Sequence, residues 1–405
     1  MNRFTRQMAS YLQQFGAVVR NEFRTIFTDG GVLLILVFAM LIYATAYSLA
    51  YGSQVLRNVP IGVVDACRTA TSRSLIETFN AGPNTYVAYE PTDMEEAREL
   101  FYGRKIYGVV YIPSDYERKL VGGSQADVAI YCDASYFLMY RQVFQELVTT
   151  IGQTGAMVEF RRLIAKGADI PQAQAVTQPV IYQSHNLFNP YLGYGTFVMP
   201  AIIIVIIQQT MLIGIGMIGG TWREHGLYRK LRPAGRGRMS TLPIVLGRAT
   251  VYALIYAVTC AYVLGLHYRM FHFPMNGQTG AVALFTAVYL AACIAMSIAV
   301  STLFRYRENS LLLLLWTSIP VLMLSGISYP REGIPEWMFA LGKLFPSSHG
   351  VNGFIRIQTM GASLGEVFAE IKWLVILTVA YGGLACIGIH QVIRHEERER
   401  CGKGE

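Results

Sequence analysis

Six stretches of this chain are too apolar and too long to lie in water. They cover residues 32–51, 194–220, 242–266, 281–304, 311–328 and 373–391. A helix rises about 1.5 Å per residue, so about 20 largely uncharged residues reach across a bilayer's hydrocarbon core. Lipid offers no hydrogen bonds, so each run has to satisfy its own backbone, and runs of this length do that as helices. The fifth run is the shortest, and the third carries Arg248 near one end. Only 15% of the 405 residues are charged, against about 25% in soluble domains.

The formal net charge of +8 suggests a nucleic-acid partner until its placement is considered. Arg3, Arg6, Arg20 and Arg24 precede the first run. Arg223, Arg229, Lys230, Arg232, Arg236 and Arg238 follow the second, Arg305 and Arg307 follow the fourth, and Arg394, Arg398, Arg400 and Lys403 follow the sixth. Between the third and fourth runs there is only Arg269. Basic flanks on alternate loops are the signature of cytoplasmic membrane edges, so both termini are expected in the cytoplasm and no nucleic acid is implied. Residues 52–190 and 329–372 then lie outside. Ala44-Thr45-Ala46 resembles a signal-peptide cleavage site, but the charged region before it is too long and the apolar stretch runs on to Tyr51.

Phe4, Met8, Tyr11, Phe15, Val18 and Phe23 recur at close to helical spacing. They predict an amphipathic helix over 1–28, lying in the membrane interface or packed on the protein's own cytoplasmic face. Residues 29–52 form the first transmembrane helix. Residues 53–190 read as an independent extracytoplasmic α/β domain, with strands over 60–65, 107–112 and 127–131 and helices over 92–102 and about 136–168. Alternating strands and helices favour a mostly parallel sheet. Residues 191–393 supply five further transmembrane helices, a cytoplasmic loop at 221–241 and short outer helices at 329–371, before a cytoplasmic tail at 394–405. The fold class is an α-helical polytopic membrane protein with six transmembrane helices and an inserted α/β domain. Cys67 and Cys132 close two of its expected strands. Neighbouring parallel strands outside the membrane would bring them close enough for a disulfide.

The chemistry that is missing narrows the function. There is no G-x-x-x-x-G-K-[ST] phosphate loop, no H-E-x-x-H, no G-x-S-x-G and no metal-spaced cluster, so neither catalysis nor a bound metal is expected. His267 and His272 allow a ligand pair or two interfacial histidines. The span cores hold no Asp, Glu or Lys, whereas ion-coupled carriers place ionisable groups there. The polar candidates at mid-membrane are Gln208, Gln209, Ser297 and Ser301, which either line a route or bond helix to helix. Gly214, Gly216, Gly219 and Gly220 permit a close approach by another helix, within the chain or across a dimer seam.

Three segments carry a resemblance. The stretch NLFNPYLGYGTFVMPAIIIVIIQQTML (186–212) has F-N-P, then an aromatic, a glycine and a proline in the membrane. WREHGLYRKLRPAG (222–235) resembles R-E-x-G-x-x-x-x-L-x-x-x-P, matching it through Leu231 and carrying its Pro233 two residues later. LSGISYPREGIPEWMFALGKLFPSSHGVNGFIRIQTMG (324–361) fits L-S-G-x-x-x-P-x-x-x-x-P-x-W. In this order they resemble the permease subunits of ABC type-2 exporters. IGVVDACRTATSRSL (61–75) resembles the opening of the outer domain in the multidrug-efflux-like subgroup. The family loop often has Glu-Arg-Glu before the Gly, where this chain has Arg223-Glu224-His225.

The resemblance implies a bacterial inner-membrane permease that binds no cofactor itself and couples to a separate ABC ATPase holding ATP and Mg. It implies a second permease, identical or not, in a dimer whose seam is the substrate route. A periplasmic adaptor and membrane lipids complete the implied partners. Trp222, Arg223, Glu224, His225, Gly226, Leu227, Tyr228 and Leu231 would form the ATPase-coupling segment, with Trp222, Leu227 and Leu231 as apolar anchors in a charged rim. An ordinary basic flank is the plain alternative. Pro330, Pro335 and Trp337 would belong to the outer gate. A different class also fits: an ATPase-linked membrane protein that transmits force or signal to an envelope partner without transport.

Overall fold

The computed structural model describes residues 3–181, 183–228, 231 and 241–402, with the backbone alone at 3–10, 314–315 and 400–402. Two compact units make up the chain: Met1–Gln54 with Asn186–Glu405, and Val55–His185. The fold is mostly helical with one small sheet.

Chain order begins with α1 (Arg3–Thr28) and α2 (Gly30–Ala50). Asp29 separates them, and its side chain accepts from the Gly31 and Val32 amides, satisfying donors at the start of α2. Val18, Glu22 and Ile26 are the buried stripe of α1, while Phe23 and Phe27 are half-exposed and touch each other. The expected apolar stripe is therefore displaced: Phe23 faces out and a carboxylate takes its place. The side chains of Phe4 and Met8 lie outside the described residues.

The second unit holds β1 (Val59–Asp65), α3 (Ala70–Asn80), β2 (Thr85–Tyr89), α4 (Met94–Tyr102), β3 (Gly108–Ile112), α5 (Tyr116–Val121), β4 (Ala129–Cys132), α6 (Phe137–Ala165) and α7 (Ile170–Thr177). Strand order is β2-β1-β3-β4, with β1 parallel to β2 and β3 and with β4 antiparallel to β3. Val59, Ile61, Val63, Val110 and Ile112 pack with Leu75 and Phe79 of α3 and Val143 and Leu147 of α6. Ala97 of α4 covers Val64, Ile106 and Val109. Strand β2 escapes the sequence reading because five residues of mixed polarity beside a helix give little periodic signal.

The antiparallel β4 overturns the expected disulfide. Cys132 pairs with Gly108 at the start of β3, whereas Cys67 follows the C-terminal end of β1, which runs beside the far end of β3. The two thiols are at opposite ends of the sheet and both are free. A bridge needs Cα atoms within about 7 Å. Burial pushes the Cys132 thiol up to about 11.

The first unit resumes with α8 (Tyr194–Glu224), α9 (Leu242–Met270), α10 (Thr279–Ser301), α11 (Glu308–Leu324), α12 (Glu336–Gly342), α13 (Pro346–Phe354) and α14 (Phe368–Gly402). Five of the described helices, α2, α8, α9, α10 and α14, are long and apolar enough to cross a membrane. Helix α11 follows the fifth apolar run but has 17 residues and ends before Ser325. Helix α8 is central: 89% of its most apolar window is buried, against 28% in α2.

The glycine face of α8 makes that centre possible, and it is an internal contact. A Cβ at Gly214 would stand 2.4 Å from Leu36, at Gly219 2.9 Å from the Ser301 carbonyl oxygen, and at Gly220 2.5 Å from the Tyr306 carbonyl oxygen. Backbone cannot swing away as a side chain can. We expect Gly219→Val and Gly220→Val each to cost about 1–3 kcal/mol through overpacking. Gly383→Ala, whose new Cβ meets nothing within 4 Å, should be neutral or gain up to about 1 kcal/mol. Thermal unfolding in detergent separates the two outcomes.

Arg307 grips Asp29 with both guanidinium nitrogens, at 2.5 and 2.9 Å, and so joins the entry of α2 to the turn before α11. The hydrogen bond from Arg307 is the main cause holding the Asp29 carboxyl below its ordinary value. A depressed carboxylate stabilises the fold above its unfolded pKa of about 4, and that stability is lost as pH falls through the lower folded value. Asp29→Asn keeps an N-cap oxygen and loses the ion pair. It should lower stability by about 1–2 kcal/mol at neutral pH, and the gap to wild type should close in unfolding curves recorded below about pH 4.

Candidate functional site

The sequence reading places the coupling segment just past the second apolar run. There α8 stops in a motif that Gly226 makes possible. Leu227 N–H donates to the Trp222 carbonyl (2.7 Å) and Gly226 N–H to the Arg223 carbonyl (3.2 Å). Gly226 takes φ +60°. These two bonds are the Schellman pattern, which satisfies the last carbonyls of a helix and needs a left-handed residue where glycine is unstrained. A Cβ at Gly226 would meet nothing within 4 Å, so backbone conformation alone favours glycine there.

The expected apolar anchors face inward. Trp222, Tyr228 and Leu231 are buried and Leu227 packs half-buried on the same core. The Trp222 and Tyr228 rings meet edge to face, 5.6 Å apart. Arg223 also turns inward, donating Nη1–H to the Thr302 carbonyl at the end of α10 (2.8 Å). Glu224 and His225 remain exposed, and the His225 Nδ1 sits 3.0 Å from the Thr221 carbonyl. The anchoring expectation is corrected for a physical reason: at a helix end beside an apolar core, aromatic side chains lose more water by folding back than by waiting for a partner. Residues 229–230 and 232–240 of the loop, with Arg229, Lys230, Arg232, Arg236 and Arg238, lie outside the described residues.

Beneath this turn is a charge cluster. The guanidinium of Arg248 on α9 stands 5.4 Å from the Trp222 ring centroid. Its Nε–H donates to Glu22 Oε1 on α1 at 2.9 Å, and both side chains are fully buried. The Tyr252 hydroxyl donates to the same carboxylate oxygen. Gly247 lets α1 come close: a Cβ there would stand 3.2 Å from the Phe15 carbonyl oxygen. The turn after α8 is thus tied through Trp222 and Arg248 to both α9 and α1. Glu22 had a signal in the sequence, since it stands between Val18 and Ile26 at intervals of four, where only a paired charge is tolerated.

The mid-membrane polar residues are interior to the unit. Gln208 is fully buried and its Oε1 accepts from the Ser347 amide at 2.7 Å, holding the start of α13 against the middle of α8. Ser301 donates to the Ile298 carbonyl and packs on Gly219. Gln209 and Ser297 are buried. Tyr289 clamps the same region, its hydroxyl donating to the Ile204 carbonyl. Beside α13, Asn352 and Arg356 both donate to Glu370 Oε1, at 2.5 and 3.1 Å, a cluster the sequence reading passed over.

Pro330 precedes a short 3-10 turn, Pro335 caps α12, and Trp337 is two-thirds exposed on α12 with Leu341 and Leu344 exposed nearby. His267 is buried against Phe271 while His272 is exposed. Among the described residues no His, Cys, Asp and Glu side chains gather as a metal site.

Removing Arg248 alone would strand the Glu22 carboxylate away from water. Arg248→Met should cost about 3–5 kcal/mol, whereas the double change Glu22→Leu with Arg248→Met should recover most of it. Melting temperatures of the two purified variants give the comparison.

Residues 30–387 match the family described as ABC-2 family transporter protein. The chain is 21% identical over 372 residues to the probable multidrug ABC transporter permease YbhR of Escherichia coli K12, covering 91% of this chain and 96% of that protein. It is 25% identical over 385 residues to the inner membrane transport permease YhhJ of the same strain, covering 92% and 96%. ABC transporter G family member 20 of Dictyostelium discoideum is 21% identical over 365 residues, covering 89% of this chain and 48% of that protein.

Proposed function

This chain belongs to the ABC-2 family of transporter proteins, and from that premise we propose that it is the membrane permease of an ATP-driven exporter in a bacterial inner membrane. ATP and Mg bind a separate ATPase subunit, since this chain has no phosphate loop. Helix α11 is the fifth span in chain order and completes a set of six, thinning the bilayer around its shorter length. The basic side is cytoplasmic, which places both termini and the Glu224 turn inside and the Val55–His185 unit outside. Two permeases assemble side by side and the route runs along their seam. Its cargo is amphiphilic, in keeping with the relative named for multidrug transport and with span cores free of carboxylates.

The observation that carries this reading is the buried path below the Glu224 turn. Glu224 and His225 are exposed for a partner, and the residues flanking them lock onto Thr302, Arg248 and Glu22. A partner that shifts this turn therefore moves α8, α9, α10 and α1 as one body, the kind of rigid coupling through which ATP binding can bias a transporter between two states. An outer-domain adaptor is compatible with this arrangement and is not needed by it.

Purification of the tagged permease from native membranes with its ATPase tests the reading. Glu224→Arg inverts an exposed charge that bonds no side chain among the described residues. It should lower the co-purifying ATPase activity at least about tenfold, the equivalent of about 1.4 kcal/mol of contact energy, at an unchanged melting temperature. Full retention of a stimulated ATPase by that variant would overturn the assignment of the turn. Absence of any ATPase from the wild-type preparation would overturn the exporter reading itself.

A further inference from the structure

A groove of about 830 Å³ opens where the ends of α8 and α10 meet the middle turns of α14, from Tyr381 to His395. Gly388 lies in its wall, where a Cβ would stand 2.4 Å from Thr302 Oγ1, so the backbone of α14 rests directly on the Thr302 side chain at the end of α10. The trough is graded in polarity. Arg223, Gln391 and His395 line one end; Leu303, Leu384 and Tyr381 line the rest. Leu303 is 74% exposed and Leu384 54%, far more than a monomer in water would tolerate in one apolar trough.

The dimensions and charge fit one class of molecule. From Tyr381 to His395 the wall of α14 spans about 21 Å at the rise of a helix. That is the depth of a headgroup with most of one leaflet's hydrocarbon, about 15 Å. Arg223 is held at the mouth by its hydrogen bond to Thr302, and no carboxylate lines the groove. Acidic residues flank the mouth without lining it: Glu399 stands 3.4 Å from His395, and Glu224 and Glu396 neighbour Arg223 and His395 in the chain. A fixed cation at membrane-edge depth above an apolar trough is complementary to an anionic amphiphile.

We propose that this groove holds one anionic phospholipid of the leaflet on the basic side, with its phosphate at Arg223, Gln391 and His395 and an acyl chain along Leu303, Leu384 and Tyr381. The lipid bridges the end of α8, which carries Glu224, to α14. Its occupancy therefore ties the last helix to the turn offered to a partner.

The test is native mass spectrometry of the delipidated, detergent-purified full chain with added phosphatidylglycerol or phosphatidylcholine of matched acyl chains. The wild type should retain one phosphatidylglycerol with about fivefold preference, the effect of one basic residue at a membrane surface. Leu384→Trp fills the trough, and Arg223→Gln keeps an amide donor for Thr302 without the charge. Each should erase the preference, and His395→Gln should weaken it. Leu254→Trp, at a 60% exposed position on α9 outside the groove, should leave it intact. Melting temperatures identify any variant that fails to fold, and the remaining groove variant then decides. Equal retention of the two lipids by the wild type, or a preference that survives in the folded groove variants, would overturn the proposal. No ATPase is present in this measurement, so its result is separate from that of the coupling experiment.

Discussion

A fully buried carboxylate and guanidinium hold the basic end of the helical unit together. Glu22 and Arg248 are each removed from water, which is costly for an unpaired ion and tolerable only with a close, well-bonded partner. Arg248 stands over Trp222 and bonds Glu22, and Tyr252 adds a hydroxyl to the same carboxylate. An apolar pair could pack here with equal stability. What the charges add is register: α1 can slide along α9 only by breaking the pair, so the position of α1 is fixed relative to the turn that follows α8. A turn fixed in this way can pass displacement to three helices without bending.

The centre of the unit obeys a different constraint. Apolar side chains gain nothing by leaving lipid for one another, so helices associate through close packing and shared hydrogen bonds. Helix α8 does both. Its glycines bring Leu36, Ser301 and the Tyr306 backbone to distances at which no Cβ would fit. Its one fully buried glutamine accepts from the Ser347 amide, an otherwise orphaned donor at the start of α13. Of the polar residues at mid-membrane, Gln208 and Ser301 are bonded within the single chain, whereas the buried side-chain polar atoms of Gln209 and Ser297 find no partner among the described residues.

Sequence patterns carry in the helices and stop at the pairing of strands. The apolar runs locate the helices well because membrane length and composition admit one solution. The R-E-x-G pattern marks a real stop, since Gly226 takes the left-handed backbone that ends α8. The same pattern misleads about its neighbours: Trp222, Leu227 and Leu231 look like anchors awaiting a partner and are instead packed on their own core, with Tyr228. Five residues of β2 and the direction of β4 were invisible for the opposite reason. A strand's sequence records which face is wet, and not which neighbour it pairs with or in which sense.

By itself the sequence determined that this is a multi-pass membrane protein and where its apolar helices run, properties of each segment against its solvent that are set by length and hydropathy; its motifs carry the resemblance to permeases. Tertiary structure alone decided that Glu22 meets Arg248, that Gln208 caps α13, that Arg223 turns back to Thr302, and that Cys67 and Cys132 sit at opposite ends of a sheet. Each of these depends on residues far apart in the chain whose side chains satisfy one another only once the helices and strands have taken their register. No local pattern can carry that information.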